Sequence, residues 1–262
     1  MKTYPKISVI TISYNSKNTI EDTIASVITQ DYENKEYIVI DGGSNDGTKD
    51  IIQKYATTID FFISEKDNGI SDAFNKGISH STGDLIVFIN SDDKLLPNAL
   101  AKVAEGYDEE TDIFCCNLIL WDAHTGDKRI LYPSTDFPVM PFFRRPAHQG
   151  AFIKNNLYKR IGTYDTSIRY AMDLDFLMRA TREGAVFKHI NQPVAIFKLG
   201  GATNESIFKK RKEYLFIIQK NGGSWLQAHV FYAFLVFTQT TKKLLRLTGI
   251  DWIRKIRYKT VS

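Results

Sequence analysis

Much of what would set a chain of 262 residues apart from an ordinary globular protein is missing here. There are only two cysteines, Cys115 and Cys116, and they are neighbours in Ile113-Phe114-Cys115-Cys116-Asn117-Leu118. Adjacent cysteines cannot staple distant segments, so a disulfide scaffold is excluded and the pair reads as buried thiols in a reducing compartment. The longest apolar run, Val230 to Phe237, falls far short of the ~20 residues that span a bilayer. The start, Met1-Lys2-Thr3-Tyr4-Pro5, leads straight into strand-like sequence, so no secretory leader is expected. The P-loop pattern G-x-x-x-x-G-K-[ST] is absent, and Gly42-Gly43-x-x-x-Gly47 is not the dinucleotide pattern G-x-G-x-x-G. Internal repeats and low-complexity segments are also lacking.

Acidic residues are scarce in the last quarter. Lys209, Lys210, Arg211, Lys212, Lys242, Lys243, Arg246, Arg254, Lys255, Arg257 and Lys259 lie there, opposed mainly by Glu213 and Asp251. The net charge of +4 is therefore largely a property of the tail. The remaining composition, 43% hydrophobic and 24% charged, argues against disorder, and the length allows one large domain plus an appendage.

The first ninety residues alternate strand and helix patterns. Ile7–Ile12 reads as a strand, and Asn18-Thr19-Ile20-Glu21 as a capping box opening a helix with Ile20, Ile24, Val27 and Ile28 on one face. Strands at Tyr37–Ile40, Asp60–Ser64 and Leu85–Ile89 alternate with helices at Lys49–Tyr55 and Ser71–Ile78. This alternation predicts an α/β fold with a parallel, doubly wound sheet. After Pro97 the pattern changes to antiparallel strands at Ile113–Trp121 and Arg129–Tyr132. Helices at Asn155–Ile161 and Asp173–Glu183 are stopped by Gly162 and Gly184, and two short strands follow at Val186–Ile190 and Val194–Phe197. A boundary is expected near Asn204, dividing a domain at 1–204 from a basic helical tail at 205–262.

Each of the first four strands ends in polar residues: Tyr14-Asn15, Asp41-Gly42-Gly43-Ser44, Glu65-Lys66-Asp67-Asn68-Gly69 and Asn90-Ser91-Asp92-Asp93. In an open α/β sheet these ends line one ligand crevice. Adjacent carboxylates there supply hard oxygen donors suited to Mg²⁺ or Mn²⁺ on nucleotide phosphates.

Ile7–Asn15, Asp41–Thr48, Asn68–Gly77 and Asn90–Asp93, in that order, resemble the successive signatures of inverting nucleotide-sugar glycosyltransferases of the GT-A fold, the family 2-like bacterial enzymes that build surface polysaccharides. Asp41-Gly42-Gly43-Ser44-Asn45-Asp46-Gly47-Thr48 resembles the family's D-x-x-S-x-D-x-[ST] turn, and Gly162-Thr163-Tyr164-Asp165 before Met172-Asp173-Leu174-Asp175 extends the match. The resemblance spans roughly residues 5 to 202 and implies a GT-A, mostly parallel sheet with flanking helices.

It also implies roles. Tyr14, Asn15, Asp41, Ser44, Asp67, Asn68, Lys76, Asn90, Ser91 and Arg145 would bind the nucleotide sugar, with Asp41 on the uracil or ribose edge and Lys76 and Arg145 toward the diphosphate. Asp92, with Asp93, would bind Mn²⁺ or Mg²⁺. Asp173 would be the general base, and His148, Gln149 and Asp175 would lie on the acceptor side. Two positions depart from the family pattern: Asn90 stands where D-x-D has its first Asp, and Met172 where Glu is common. A nucleotide-sugar donor, a glycan or lipid-linked acceptor and no nucleic acid are the expected partners. A sugar-phosphate nucleotidyltransferase and an inactive nucleotide-sugar-binding scaffold are the alternatives. Gly200-Gly201 is a candidate flexible loop over the site.

In the tail, Trp225–Leu247 and Ile250, Trp252, Ile253 and Ile256 mix an apolar face with Trp and clustered Lys and Arg. That composition describes an interfacial helix at the inner face of the cell membrane, on a cytoplasmic protein. Packing on the catalytic domain or on a second subunit, as in a homodimer, is the alternative.

Overall fold

A computed structural model of the chain describes residues 4–123, 125–133, 146–199 and 206–247. The elements are β1 (Ile7–Ser13), α1 (Ile20–Ile28), β2 (Lys35–Asp41), α2 (Thr48–Gln53), β3 (Phe61–Ser64), α3 (Ile70–His80), β4 (Leu85–Phe88), β5 (Lys94–Leu95), α4 (Ala99–Glu105), β6 (Ile113–Trp121), β7 (Lys128–Leu131), a 3₁₀ turn (His148–Gly150), β8 (Ala151–Lys154), α5 (Asn155–Ile161), α6 (Met172–Arg182), β9 (Phe187–Lys198), α7 (Arg211–Lys220) and α8 (Trp225–Leu247). Among the described residues one sheet runs β3-β2-β1-β4-β8-β6-β9-β5, with β7 on β6.

The expected α/β sheet with flanking helices is present, and its parallel part is the first half. β3, β2, β1 and β4 are mutually parallel. Beyond them β8 is antiparallel to both β4 and β6, while β9 runs parallel to β6. Helical crossovers join the first set, as parallel neighbours require, and β6 and β7 form the expected antiparallel pair.

Strand periodicity explains the two cores. Val9, Val39 and Val87 face α1 and α2, where Ile20, Ile24, Val27 and Ile52 are buried, while Ile10, Ile38 and Phe88 face Phe74 of α3. Gly77 lets α3 approach β1, because a Cβ there would stand 2.5 Å from Ile10 Cγ2. Cys115 and Cys116 point to opposite faces of β6, both buried and free, and burial pushes the Cys115 thiol up to about 12.

Two sequence expectations are revised, and a third feature adds to the expected division of the chain. The capping box at Asn18 does not form; α1 starts at Ile20 after Thr19, without a side-chain cap, and the Ser16 carbonyl accepts the N–H groups of Thr19 and Ile20. The two short strands after Gly184 are one strand, β9, whose register with β6 shifts around Asn117 and Pro193. Proline offers no N–H to the ladder, so the strand bulges there instead of ending. Finally, packing continues past the boundary expected near Asn204, a residue that itself lies outside the described ones. Ile217 and Ile218 of α7, and Ala228 and Phe231 of α8, are fully buried in the same cluster as Leu174 and Phe176 of α6. On the other side of α8, Trp225, Leu226, Val230, Phe237 and Leu244 are exposed.

Candidate active site

Because β3, β2, β1 and β4 are parallel neighbours, their carboxyl ends open onto one crevice. One end of it is built by a turn. Asp41, the last residue of β2, is fully buried: Oδ1 accepts the Ser44 hydroxyl (2.5 Å), and Oδ2 accepts the Ser64 hydroxyl (2.6 Å) and the N–H groups of Ser44 (2.9 Å) and Gly43 (3.2 Å). Ser44 Oγ accepts the Asn15 N–H (2.8 Å), and Asn15 Oδ1 accepts the Asn45 N–H (3.0 Å). Asn15 holds φ +48°, a left-handed value that Asn tolerates. Asp41 and Ser44, expected as nucleotide ligands, therefore build the turn, their polar atoms consumed by it. Gly42 itself is buried, its N–H bonded to the Ser13 carbonyl (2.8 Å), and Gly43 is the exposed residue of the turn. A side chain at Gly42 would collide with the Asp67 carboxylate and lie against the Tyr14 ring. Tyr14, Gly42 and Asp67 thus converge on one spot.

Asp67 Oδ1 accepts the Gly69 N–H (3.0 Å), and the Asn68 N–H goes to Asp72, leaving Asn68 exposed at the rim. Lys76 does not reach toward the diphosphate as expected. One helical turn after Asp72, it pairs with Glu65 (2.8 Å) and Asp72 (3.6 Å), and the Glu65 hydrogen bond is the main cause of its raised pKa.

At the centre, Ser91 continues the pairing with β1 through its N–H to Ile12, and its hydroxyl meets that of Ser16 (2.6 Å). The adjacent carboxylates diverge. Asp92 is partly exposed to the crevice, and desolvation raises its pKa against the pull of Lys198 and His148. Asp93 turns inward and is fully buried: Gln149 Nε2 donates to Oδ2 (2.7 Å), and the Lys198 N–H to Oδ1 (3.0 Å). Burial, then the Asp92 charge, pushes it up to about 7. Asp93 is thus a poor candidate for the metal, and Gln149, 1% exposed, is its anchor and not an acceptor-side contact.

The first turn of α6 meets this centre through a histidine. His148 Nδ1 lies 3.0 Å from Asp173 Oδ2, and its Nε2 lies 3.0 Å from Asn90 Nδ2. With Asn90 donating, Nε2 accepts and the ring proton sits on Nδ1, directed at Asp173. The Phe74 ring meets the imidazole edge-on at 5.3 Å. Burial lowers the His148 pKa, but Asp173 chiefly, with Asp93 and Asp92, outweighs it and leaves it raised. Asp173 sits in the first turn of α6 with its side chain 34% exposed. Asp175 does not face the acceptor side. It is fully buried, bound by Arg179 (2.9 Å), Lys220 (3.0 Å) and Asn221 (3.1 Å). Two residues along a helix is more than half a turn, so Asp173 and Asp175 point apart. Arg145, Gly200 and Gly201 lie outside the described residues.

The donor set suits a hard cation carried by phosphates. Asn90 Oδ1 is buried without a protein partner, and Asp92 is a desolvated carboxylate beside it. Among the described residues no group of three His, Cys, Asp or Glu could hold a metal. Asp92 and Asn90 would supply part of a coordination shell and diphosphate oxygens the rest, the usual manner for Mg²⁺.

Sequence reasoning missed Ser16, Lys198 and the anchoring role of Gln149. No local pattern marks them, since their partners lie 56 to 105 residues away for the two contacts to Asp93 and 75 for Ser16 to Ser91.

Comparison with known proteins agrees with this geometry. The model of Glycosyl transferase family 2 matches residues 8–170. An uncharacterized glycosyltransferase of Mycobacterium tuberculosis is 33% identical over 189 residues, 69% of this chain and 70% of that protein. The putative teichuronic acid biosynthesis glycosyltransferase TuaG of Bacillus subtilis is 38% identical over 137 residues, 50% of this chain and 54% of TuaG. The crystal structure of S. aureus TarS 1-349 in complex with UDP-GlcNAc matches with a TM-score of 0.67 at 18% identity, over 88% of this chain and 71% of that one. With a parallel sheet opening onto desolvated carboxylates, and the family signature covering most of the chain, the protein belongs to glycosyltransferase family 2 and has its GT-A fold.

Proposed function

We propose that the protein is an inverting glycosyltransferase that moves a sugar from a UDP-sugar to a hydroxyl of a glycan or lipid-linked acceptor during cell-surface polysaccharide synthesis. The observation that carries this reading is the single line Asn90–His148–Asp173, which joins the donor centre at Asp92 to a partly exposed carboxylate on the base side. The TarS complex with UDP-GlcNAc supports a UDP-sugar donor, and the teichuronic acid relative supports an acceptor in the cell envelope.

In this reading Tyr14, Asp67 and Asn68 hold the nucleotide, and Ser91 and Asn90 orient the sugar. Asp173 takes the proton of the acceptor hydroxyl as that oxygen bonds the anomeric carbon, and the bond to the diphosphate breaks on the opposite face, its electron pair leaving with UDP. His148 donates to Asp173 through Nδ1 and holds its carboxylate in place. Mn²⁺ or Mg²⁺, when held by Asp92 and Asn90, supplies positive charge to the departing diphosphate.

The test is a mass-spectrometric screen for nucleoside diphosphate release from UDP-, GDP- and dTDP-sugars, with and without Mn²⁺. Release of UDP that requires Mn²⁺ is expected. Binding without turnover of any donor would favour a scaffold, and pyrophosphate formation from a nucleoside triphosphate and a sugar phosphate would favour a nucleotidyltransferase.

Residues 205–262 are proposed to bring the enzyme to the cytoplasmic face of the membrane. Leu226, Val230, Phe237 and Leu244 recur at spacings of four and seven and stay exposed, and cationic residues are concentrated in the same region. No helix among the described residues is long and apolar enough to cross a membrane. Full-length chain should co-sediment with anionic liposomes at low salt and release at high salt, and Phe237→Glu should weaken this. A dimer that ignores liposomes and is broken by the same substitution would mean that α8 pairs with a second copy.

A further inference from the structure

We infer that Glu213, on α7, is a positioning residue for Asp173, an inference that rests on the reading of Asp173 as the base. The segment Arg169-Tyr170-Ala171 runs directly into α6, with Ala171 as its N-cap. Glu213 Oε1 accepts the N–H of Arg169 (2.9 Å), and Oε2 accepts those of Tyr170 (2.9 Å) and Ala171 (3.2 Å). The backbone entering a helix carries N–H groups with no intrahelical partner and a positive field, so a carboxylate that takes three in succession fixes this backbone strongly. Asp173 is two residues beyond Ala171. The conformation that Glu213 imposes on 169–171 therefore sets where the Asp173 carboxylate emerges, and hence its meeting with His148.

Ser71 Oγ holds the residues flanking this segment, 2.8 Å from the Ile168 carbonyl and 3.0 Å from Met172 Sδ, while the N–H groups of 169–171 go to Glu213. Docking of α7 itself does not depend on this contact. Ile217 and Ile218 are fully buried, Lys220 binds Asp165 (2.7 Å) and Asp175 (3.0 Å), and Asn221 binds Asp175 (3.1 Å). A substitution at 213 should leave the helix in place and loosen only the segment before the base. The region that looks from the sequence like a separate basic tail is, in its first helix, part of the acceptor half of the site.

The experiment uses full-length Glu213→Gln and Glu213→Ala with whichever UDP-, GDP- or dTDP-sugar releases nucleoside diphosphate fastest in Mn²⁺. Expected is a fall in kcat of ~10-fold for Gln and up to ~10²-fold for Ala, the scale of a small misplacement of a reacting group. Donor KM should stay within about twofold. Hydrogen–deuterium exchange at the amides of 169–171 should accelerate, while that of α7 and of the β1–β4 core stays as in the parent. In an Asp173→Asn background, Glu213→Gln should change the residual rate by less than about twofold, because the group it positions is already disabled. Full kcat in both single variants overturns the inference, as does unchanged exchange at 169–171 whatever the donor. An equal loss in the Asp173→Asn background, or a Gln variant that melts as a whole, assigns Glu213 to stability alone and overturns it too. Asp173→Asn with the parent's rate removes the base reading itself, an outcome that the Glu213 single variants cannot produce.

Discussion

The two halves of the crevice are assembled by different means. In the donor half, residues 7–93, the turn begins with neighbours, the Ser44 hydroxyl donating to Asp41 three residues away and that of Thr48 to Asp46 at two, and is completed by Ser64 and Asn15 from 23 and 29 residues away. In the base half, residues 146–221, long-range partners hold the groups that matter. Asp173 meets His148 across 25 residues, Asp175 meets Asn221 across 46, and Glu213 reaches back 42 to 44 residues to the start of α6. The charge balance also differs. Asp92 and Asp93 are both desolvated with their pKa values raised, Asp92 partly open and Asp93 held by neutral donors, whereas Asp175 is sealed by the charges of Arg179 and Lys220. A crevice can therefore carry a readable signature at one end while the arrangement at the other depends on contacts that no motif records.

The sharpest way to break this comparison is to exchange roles within α6. Asp173→Asn keeps the shape and a hydrogen-bonding group but removes basicity, so kcat should fall by ~10² to ~10⁴, the usual contribution of a general base, with donor affinity and melting temperature nearly unchanged. Asp175→Asn should do the reverse. It removes the charge that compensates Arg179 and Lys220 in a fully buried place, so stability should drop by about 3 kcal/mol, while the folded fraction turns over at the parent's rate. Denaturant melts and initial rates on the same preparations check both. If Asp175→Asn is stable and dead, Asp175 is the base and the assignment within α6 is inverted.

The donor half was legible because its strand and turn patterns are local, even where its contacts are not. The runs at Ile7–Ile12 and Leu85–Ile89 alternate between two buried faces, and each ends in the polar residues that line the crevice. Helix ends marked by glycine were also legible: Gly162 and Gly184 stop α5 and α6 with φ of +82° and +71°. What escaped was partnership. Lys76, Asp93, Gln149 and Asp175 are polar residues at the expected positions, yet each is turned to a protein partner in place of the crevice. Residue type and spacing cannot separate a carboxylate awaiting a ligand from one already paired. Glu213 shows the converse, an apparent surface charge in a basic segment that binds three backbone amides. The strand β8 was missed because Ala151–Lys154 is short and runs straight into a helix.

The donor half should fail by packing where the base half fails by charge. Gly77→Ala places a Cβ against Ile10 at the centre of β1, where the nearest atoms belong to a β-branched side chain in the core. Overpacking of that kind destabilises by about 1–3 kcal/mol, reduced by the better helix propensity of alanine, about 1 kcal/mol. A net loss near 1 kcal/mol without pH dependence is expected in denaturant melts. A neutral result would mean that α3 slides on β1 more freely than a donor half built by close contact allows.

The smallest effect should come from the rim of the base half, and it should carry a pH signature that Gly77→Ala lacks. Lys220 hydrogen-bonds Asp165 at 2.7 Å, with Ser167 assisting, and together they hold the Asp165 pKa at about 2 against its ordinary 3.8. The folded-state value is depressed, so the contribution to stability is present above the ordinary carboxylate range and is lost as pH falls through about 2. Both side chains are partly exposed, at 26% and 30%, so solvent screening keeps the pair within ~0.2–1 kcal/mol. Asp165→Asn should therefore lower the unfolding free energy by that amount at neutral pH, the gap to the parent should narrow as acid protonates Asp165 in the parent, and added salt should narrow it as well. Urea melts of both proteins across this range measure the gap directly. A gap that persists unchanged in acid and in high salt would show that Asp165 contributes through its turn with Ser167 and not through Lys220, and the polar grip of α7 on the base half would then rest on Lys220 and Asn221 at Asp175.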